Sequence, residues 1–198
     1  MFYNIQQHGG SKMRKSRQET AETRERIVHT AAHEFGQRGI AETGLADVMS
    51  AAGLTHGGFY KHFDSKDQLV AEAIEKSLDS MWFTMEKAQG DAALETIVKD
   101  YVSRTHRDNT QEVCPLAALG SELRRSDERT RDVASRGILR LIALLEKRLS
   151  DLPPKKAKSR AHAIVAAMVG SVFLSRIVTS PKLSDSILRD TRDFILEP

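Results

Sequence analysis

The sequence predicts an all-α protein, and two observations carry that reading. Apolar residues recur at three- and four-residue spacing through almost the whole chain, while no alternating run of β-branched residues offers a strand. The periodic segments stop at Gly, at Ser-Asp pairs or at Pro, the residues that end or start helices. With 198 residues, 40% hydrophobic and 29% charged, the chain can bury the core of one large domain, or of one small and one medium domain.

The elements follow in order. Residues 1–12, MFYNIQQHGGSK, show no period and read as a leader, or as sequence upstream of a start at Met13. From Glu22 the pattern is helical: Ile27, Ala31 and Phe35 recur every four residues, Val28 and Ala32 widen the stripe, and Gly39 stops it. A second, shorter helix carries Leu45, Val48, Met49 and Ala52 and ends at Gly53, suited to the left-handed cap position. The third begins almost at once, with Thr55 as N-cap and Leu54 placed to staple against Phe59; Phe63 continues its inner face. Ser65 caps a long helix through Leu69, Ala73, Ile74, Leu78, Met81, Trp82 and Met85. Beyond Gly90, helices are predicted near 91–107, 115–125, 127–150, 155–178 and 182–196, broken at Asp108-Asn109, Ser126-Asp127, Pro153-Pro154 and Pro181.

Composition excludes several classes. Twelve Gly and five Pro rule out a collagen-like chain, and the apolar content rules out disorder. One cysteine makes no intramolecular disulfide and no zinc cage, which with the absence of a charged-then-apolar leader points to a reducing cytoplasm. The longest apolar run, Ala163 to Leu174, is too short to span a bilayer and reads as a buried helix. No phosphate-cradling loop, nucleophile elbow or isolated acidic pair suggests catalysis, so an enzyme is not expected. His29 and His33 have the spacing of a two-histidine metal edge but lack the glutamate of a zinc protease motif; they read as structural or surface residues, and no metal or cofactor is expected.

Two short helices joined by a Gly-containing turn and packed on a preceding helix form the geometry that lays the second of them in the DNA major groove. The side chains of the third helix agree. With Leu54, Phe59 and Phe63 facing inward, His56, Gly57, Gly58 and Lys61 lie outward, with Tyr60 and His62 at the edges. Two glycines in a short helix cost about 1 kcal/mol each relative to alanine; they remove bulk from the leading edge and permit close backbone approach to a ligand. His56 and Lys61 can reach base edges, and Tyr60, His62 and Lys66 can reach phosphates.

The run AAGLTHGGFYKHFDSKDQL, Ala51 to Leu69, resembles the signature of TetR-family transcriptional regulators, as do ETRERIVHTAAHEFGQRG and ADVMSAAG before it. The resemblance covers the first third strongly; the rest matches in length and helical character. It implies an arm (residues 1–18), a three-helix DNA-binding unit (19–68) and a larger helical domain (69–198) that dimerises and holds an inducer. It implies that Thr55 caps the recognition helix, that His56, Gly57, Gly58 and Lys61 face bases, and that Tyr60, His62, Lys66 and Thr43 hold the backbone. The chain departs from the pattern at Gly44 and Leu45, where many relatives carry Ser or Thr and then a polar or branched residue.

Outside that unit, Trp82, Phe83, Met85 and Tyr101 are candidates for lining an effector cavity between bundle helices. Cys114, just before Pro115, lies at a helix start where the dipole lowers a thiol pKa, and a similar segment carries a cysteine in some electrophile-responsive relatives; a redox or electrophile sensor is the alternative reading. Small residues Ala163, Ala167 and Gly170 beside Phe173, Leu174 and Ile177, with Ile187 and Phe194 on the last helix, would pair with a second copy about a two-fold axis, as the resemblance implies.

Together these predict a cytoplasmic homodimer that binds double-stranded DNA at a palindromic operator, a repressor released by an unknown small-molecule effector. A small helical enzyme and a protein-interaction module are the rivals, and no membrane partner is expected. The formal net charge is only +3, but residues 12–26 hold Lys12, Arg14, Lys15, Arg17, Arg24 and Arg26 against Glu19, Glu22 and Glu25, so the positive excess gathers beside the recognition helix.

Overall fold

A computed structural model describes residues 9–90, 92–111 and 113–197, with side chains described from Arg17 onward. Residues 1–8 of the expected arm, and the side chains of Lys12, Arg14 and Lys15, lie outside that description; from Gly9 the chain is already helical. The described residues form helices α1 (Gly9–Arg38), α2 (Leu45–Ala51), a 3-10 helix (His56–Lys61), α3 (Lys66–Glu86), α4 (Ala93–Tyr101), α5 (Arg104–Asp108), α6 (Pro115–Ala118), α7 (Gly120–Leu123), α8 (Glu128–Lys147), α9 (Pro154–Ile177) and α10 (Pro181–Leu196), with no strand among them.

The ends follow local chemistry. Gly39 stops α1 at φ 86°, and Gly53 follows α2 at φ 72°, where a Cβ would be strained. After α2, the Gly53 N–H donates to the Ser50 carbonyl (2.9 Å) and the Leu54 N–H to that of Met49 (2.8 Å), a Schellman pair that satisfies the last carbonyls and sets the sharp turn. The Ser65 hydroxyl accepts from the Gln68 N–H at 3.1 Å and caps α3 as expected.

Three helices differ from expectation. The third is a single 3-10 segment, with the Gly58 N–H donating to the Thr55 carbonyl (3.0 Å) and His62 to Phe59 (2.9 Å). Six residues with adjacent glycines lack the propensity for an α-helix, and the tighter i→i+3 bonding suits so short a piece. The predicted helix over 91–107 breaks at Val102, because the Ser103 hydroxyl accepts from the His106 N–H (3.0 Å) and starts α5 afresh. That over 115–125 breaks at Leu119 into α6 and α7.

One continuous core joins all of this. It runs from Ile27, Phe35, Met49, Phe59 and Phe63 through Leu69, Ile74 and Trp82 to Leu141, Leu145, Met168 and Val172. Helix α3 packs against α1 on one side and α8 on the other, and α9 lies between α8 and α10. The expected division at residue 68 falls inside α3, so one rigid helix belongs to both units. Helix α9, read from sequence as buried, is apolar and long enough by composition to cross a membrane, but one face packs on α8 and α10 while Phe173, Leu174 and Ile177 lie open.

Candidate nucleic-acid interface and cavity

The 3-10 helix is held by its inner face. Phe59 and Phe63 are fully buried, their rings stacked with centroids 5.4 Å apart, and burial of each is worth about 1.5–3 kcal/mol. Anchored there, His56, Gly57 and Lys61 are exposed and Tyr60 is 67% exposed, its ring edge-on to Phe59. Thr55 has the extended N-cap backbone, but its hydroxyl makes no cap bond. A Cβ built on Gly57 meets no atom within 4 Å, and one on Gly58 meets only Met49 Cε (3.6 Å) and Thr55 Oγ1 (3.9 Å). Neither glycine is demanded by steric contact among the described residues.

Arg24 fixes the orientation of this helix. Its guanidinium grips Glu72 of α3 with two contacts of 2.6 and 2.7 Å, donates from Nε to the His62 carbonyl (3.3 Å), and lies 4.6 Å from the Phe63 ring centroid. A bidentate charge-assisted pair of this kind is both strong and directional. Burial pushes the Glu72 carboxyl up, but the bonds from Arg24 and Gln68 and the charges of Arg24 and Arg129 bring it below its usual range. In the sequence Arg24 counts only toward the basic excess, and no sequence signal pairs it with Glu72, 48 residues away.

Three residues expected at the DNA backbone are partly or fully enclosed in the free protein. Thr43 is fully buried and its hydroxyl donates to the Gly39 carbonyl at 2.7 Å, closing the turn after α1. Lys66 is half-buried with Nζ donating to the Ile40 carbonyl at 2.7 Å, which ties the start of α3 to the same turn. His62 is half-buried, its Nδ1 enclosed without a partner. Gly44, exposed, starts α2 with its N–H donating to Asp47 Oδ2 (3.1 Å), and Leu45 packs partly against the core.

The second feature is a cavity of about 490 Å³ between α1, α3, α4, α5 and the residues Asn109, Gln111, Val113 and Cys114. Tyr101 and Cys114 line it, and so does Met85. Trp82 does not: it is buried on the core side of α3, where Arg140 of α8 lies 5.9 Å from its ring centroid. Phe83 points to solvent, 66% exposed, with Lys87 Nζ 3.9 Å from its centroid. Both positions differ from the expectation because helical spacing does not reveal which face of α3 is turned to α8. Helix α1 contributes His29, Ala32 and His33 to the wall, and among the described residues no cluster of three metal-ligating side chains forms around them.

Cys114 is the N-cap of α6, as its position before Pro115 predicts, but it is buried and accepts a hydrogen bond from the Tyr101 hydroxyl at 3.1 Å. Burial pushes the thiol up, against hydrogen bonds from Tyr101, Ala117 and Leu116 that pull the other way. A four-residue helix has too small a dipole to reverse this, so the expected lowering of the thiol pKa is absent and the sensor reading is not favoured. Burial likewise raises the Tyr101 phenol, with the neighbouring Cys114 adding to it, and lowers His106, whose Nδ1 lies 2.6 Å from the Tyr101 carbonyl.

A third surface is apolar. Phe173, Leu174, Ile177 and Phe194 are exposed, Ala163 too, and Ala167, Gly170 and Ile187 partly so. A Cβ on Gly170 meets nothing within 4 Å, which leaves room for another backbone.

Two family models match the chain: bacterial regulatory proteins, tetR family, over residues 27–73, and the C-terminal domain of LmrA/YxaF-like transcriptional regulators over 91–186. An uncharacterized HTH-type transcriptional regulator, Rv0196 of Mycobacterium tuberculosis, is 26% identical over 185 residues, covering 87% of this chain and 94% of its own. A probable acrEF/envCD operon repressor of Escherichia coli is 37% identical over 59 residues, 30% of this chain and 27% of that protein. Among solved structures, AibR in complex with isovaleryl coenzyme A and operator DNA superposes with a TM-score of 0.62 at 16% identity, covering 89% of this chain and 99% of that one.

Proposed function

Because this chain belongs to the TetR family of DNA-binding transcriptional regulators, we propose that it is a cytoplasmic, homodimeric repressor of a palindromic operator, released when a small molecule fills the cavity beside α3. The observation that carries the DNA-reading surface is Gly57: its Cβ position is open, on an exposed helix whose inner face is locked in the core. The reading surface consists of Thr55, His56, Gly57, Gly58, Tyr60 and Lys61, with Gly44 and Leu45 at the start of α2 beside it. Residues 19–68 form the DNA-binding unit behind an arm of 1–18, and 69–198 the effector and dimer domain.

The open faces of α9 and α10 supply the dimer contact. Apolar side chains of this size are costly to leave in water, and a two-fold pairing would cover Phe173, Leu174, Ile177 and Phe194 together. It would also present two recognition helices to successive major grooves, about 34–36 Å apart. A ligand-bound, operator-bound neighbour of the same fold supports an effector-responsive mode. Helix α3, which starts at the DNA face and contributes Lys76, Ser80, Met81 and Met85 to the cavity wall, is the element through which the two ligands bias each other.

The test is a gel shift with the DNA upstream of the chain's own gene. Saturable, salt-sensitive, sequence-specific binding that weakens in Tyr60→Ala and Lys61→Ala supports the reading; binding no tighter than competitor DNA refutes it. Mass spectrometry of molecules retained through native purification identifies the effector.

A further inference from the structure

Resting on the reading of the cavity as the effector site, we propose that its ligand is an amphipathic small-molecule anion, its charged head met by His29, His33 and Lys76 and its apolar body lying along Met81, Met85 and Ile97. The volume, about 490 Å³, lies within the ~300–1,000 Å³ usual for drug-sized ligands. The wall is chemically lopsided. Its described ionisable side chains include two lysines and three histidines but one carboxylate, Asp100. A cationic ligand would need more than that, and the one tyrosine in the wall already commits its hydroxyl to Cys114.

The cations at the mouth carry only weak partners, Glu25 for Lys76 and Glu34 for His33. Lys76 is 3.1 Å from Glu25, with both side chains largely in water, and exposed pairs of this kind are weak enough to exchange for a ligand carboxylate. His33 is partly buried and His29 exposed, one helical turn apart on α1, so both imidazoles turn toward the same opening. His29 can offer an N–H, while His33, whose Nδ1 lies 3.4 Å from Glu34 Oε1, faces a ligand through Nε2. His106, in contrast, is engaged with the Tyr101 carbonyl and kept neutral by burial, so it contributes no charge. A buried anion without a partner is costly, so the head must stay where cations and water meet; the methionines, flexible and polarisable, fit an apolar body of variable shape.

Placing the head on α1 has a consequence for control. His29 and His33 belong to the helix whose Arg24 clamps the recognition helix through Glu72 and the His62 carbonyl. The ligand therefore touches the DNA-binding unit directly and biases it through one helix.

Calorimetry on the full-length protein tests this with three probes of equal chain length: octanoate, octanol and octyltrimethylammonium. Octanoate is expected to bind about tenfold more tightly than either of the others, and the Lys76→Met and His29→Gln/His33→Gln variants to lose about fivefold or more with thermal midpoints unchanged. Equal or tighter binding of octanol or the ammonium probe, failure of all three to bind, or octanoate binding unaltered in both stably folded variants overturns the proposal. Octanoate binding as expected without any change in operator affinity supports the ligand class and instead refutes release as the mode of control.

Discussion

Replacing Gly57 with alanine separates what the fold requires from what DNA requires. In the free protein the added methyl meets no atom within 4 Å, and the backbone there is not in the left-handed region. Alanine also removes chain entropy from the unfolded state, so stability should hold or rise by ~0.5–1 kcal/mol. For a chain of this length that is a thermal midpoint up by ~1–4 °C. Against DNA the same methyl stands on the leading edge, between the backbone and the base edges. Inserting a methyl into a closely packed contact costs ~1–3 kcal/mol, which is ~5–150-fold in Kd at ~1.4 kcal/mol per decade. Differential scanning fluorimetry and fluorescence anisotropy with labelled operator read the two quantities on one preparation. The salt slope should be unchanged, since no phosphate contact is removed. A Gly57→Ala protein that binds operator within twofold of the wild type refutes the close approach and with it the orientation assigned to the 3-10 helix.

The opposite behaviour is expected at Gly137, where a Cβ would stand 2.6 Å from Leu78 Cδ1 in the α3–α8 contact: Gly137→Ala should lower stability by ~1–3 kcal/mol, visible as a denaturant midpoint shift, with little effect on DNA affinity once folded. Arg24→Gln breaks the clamp on the recognition helix and should cost ~1–3 kcal/mol of stability and weaken operator binding; hydrogen exchange should show the 3-10 helix less protected, and unchanged exchange there would count against the clamp. Burial holds His106 below its usual titration range, so the unfolded chain binds its proton first: stability present above pH ~6.5 should be lost as pH falls toward the depressed folded value, and His106→Gln should flatten that part of the melting-temperature profile. Iodoacetamide at neutral pH should label Cys114 only as fast as the protein opens, and labelling of native protein within minutes, followed by mass spectrometry, would contradict its burial.

The sequence was legible wherever the determining forces are local. Helical period, the glycines at 39 and 53 and the Ser65 cap specify α1, α2 and the start of α3 because each acts within about five residues of itself, through backbone sterics or one hydrogen bond. The inward placing of Phe59 and Phe63 was readable for the same reason, since one apolar stripe on a short helix has only one face to bury. The breaks at Val102 and Leu119 were not, because apolar spacing continues across both, even though the Ser103 cap that restarts the chain as α5 is itself local.

Sequence alone therefore determined the all-α class, the helix-turn-helix and which side of it faces outward. Tertiary structure alone decided that Thr43 is sealed in a turn, that Trp82 serves the α8 contact while His29 and His33 line the cavity, and that Cys114 is buried with its thiol pKa raised. It also joined Arg24 to Glu72 across 48 residues. The physical reason is common to all of them: burial, desolvation and ion pairing depend on which helix faces are pressed together, and helical periodicity states that a face is apolar without stating what will cover it.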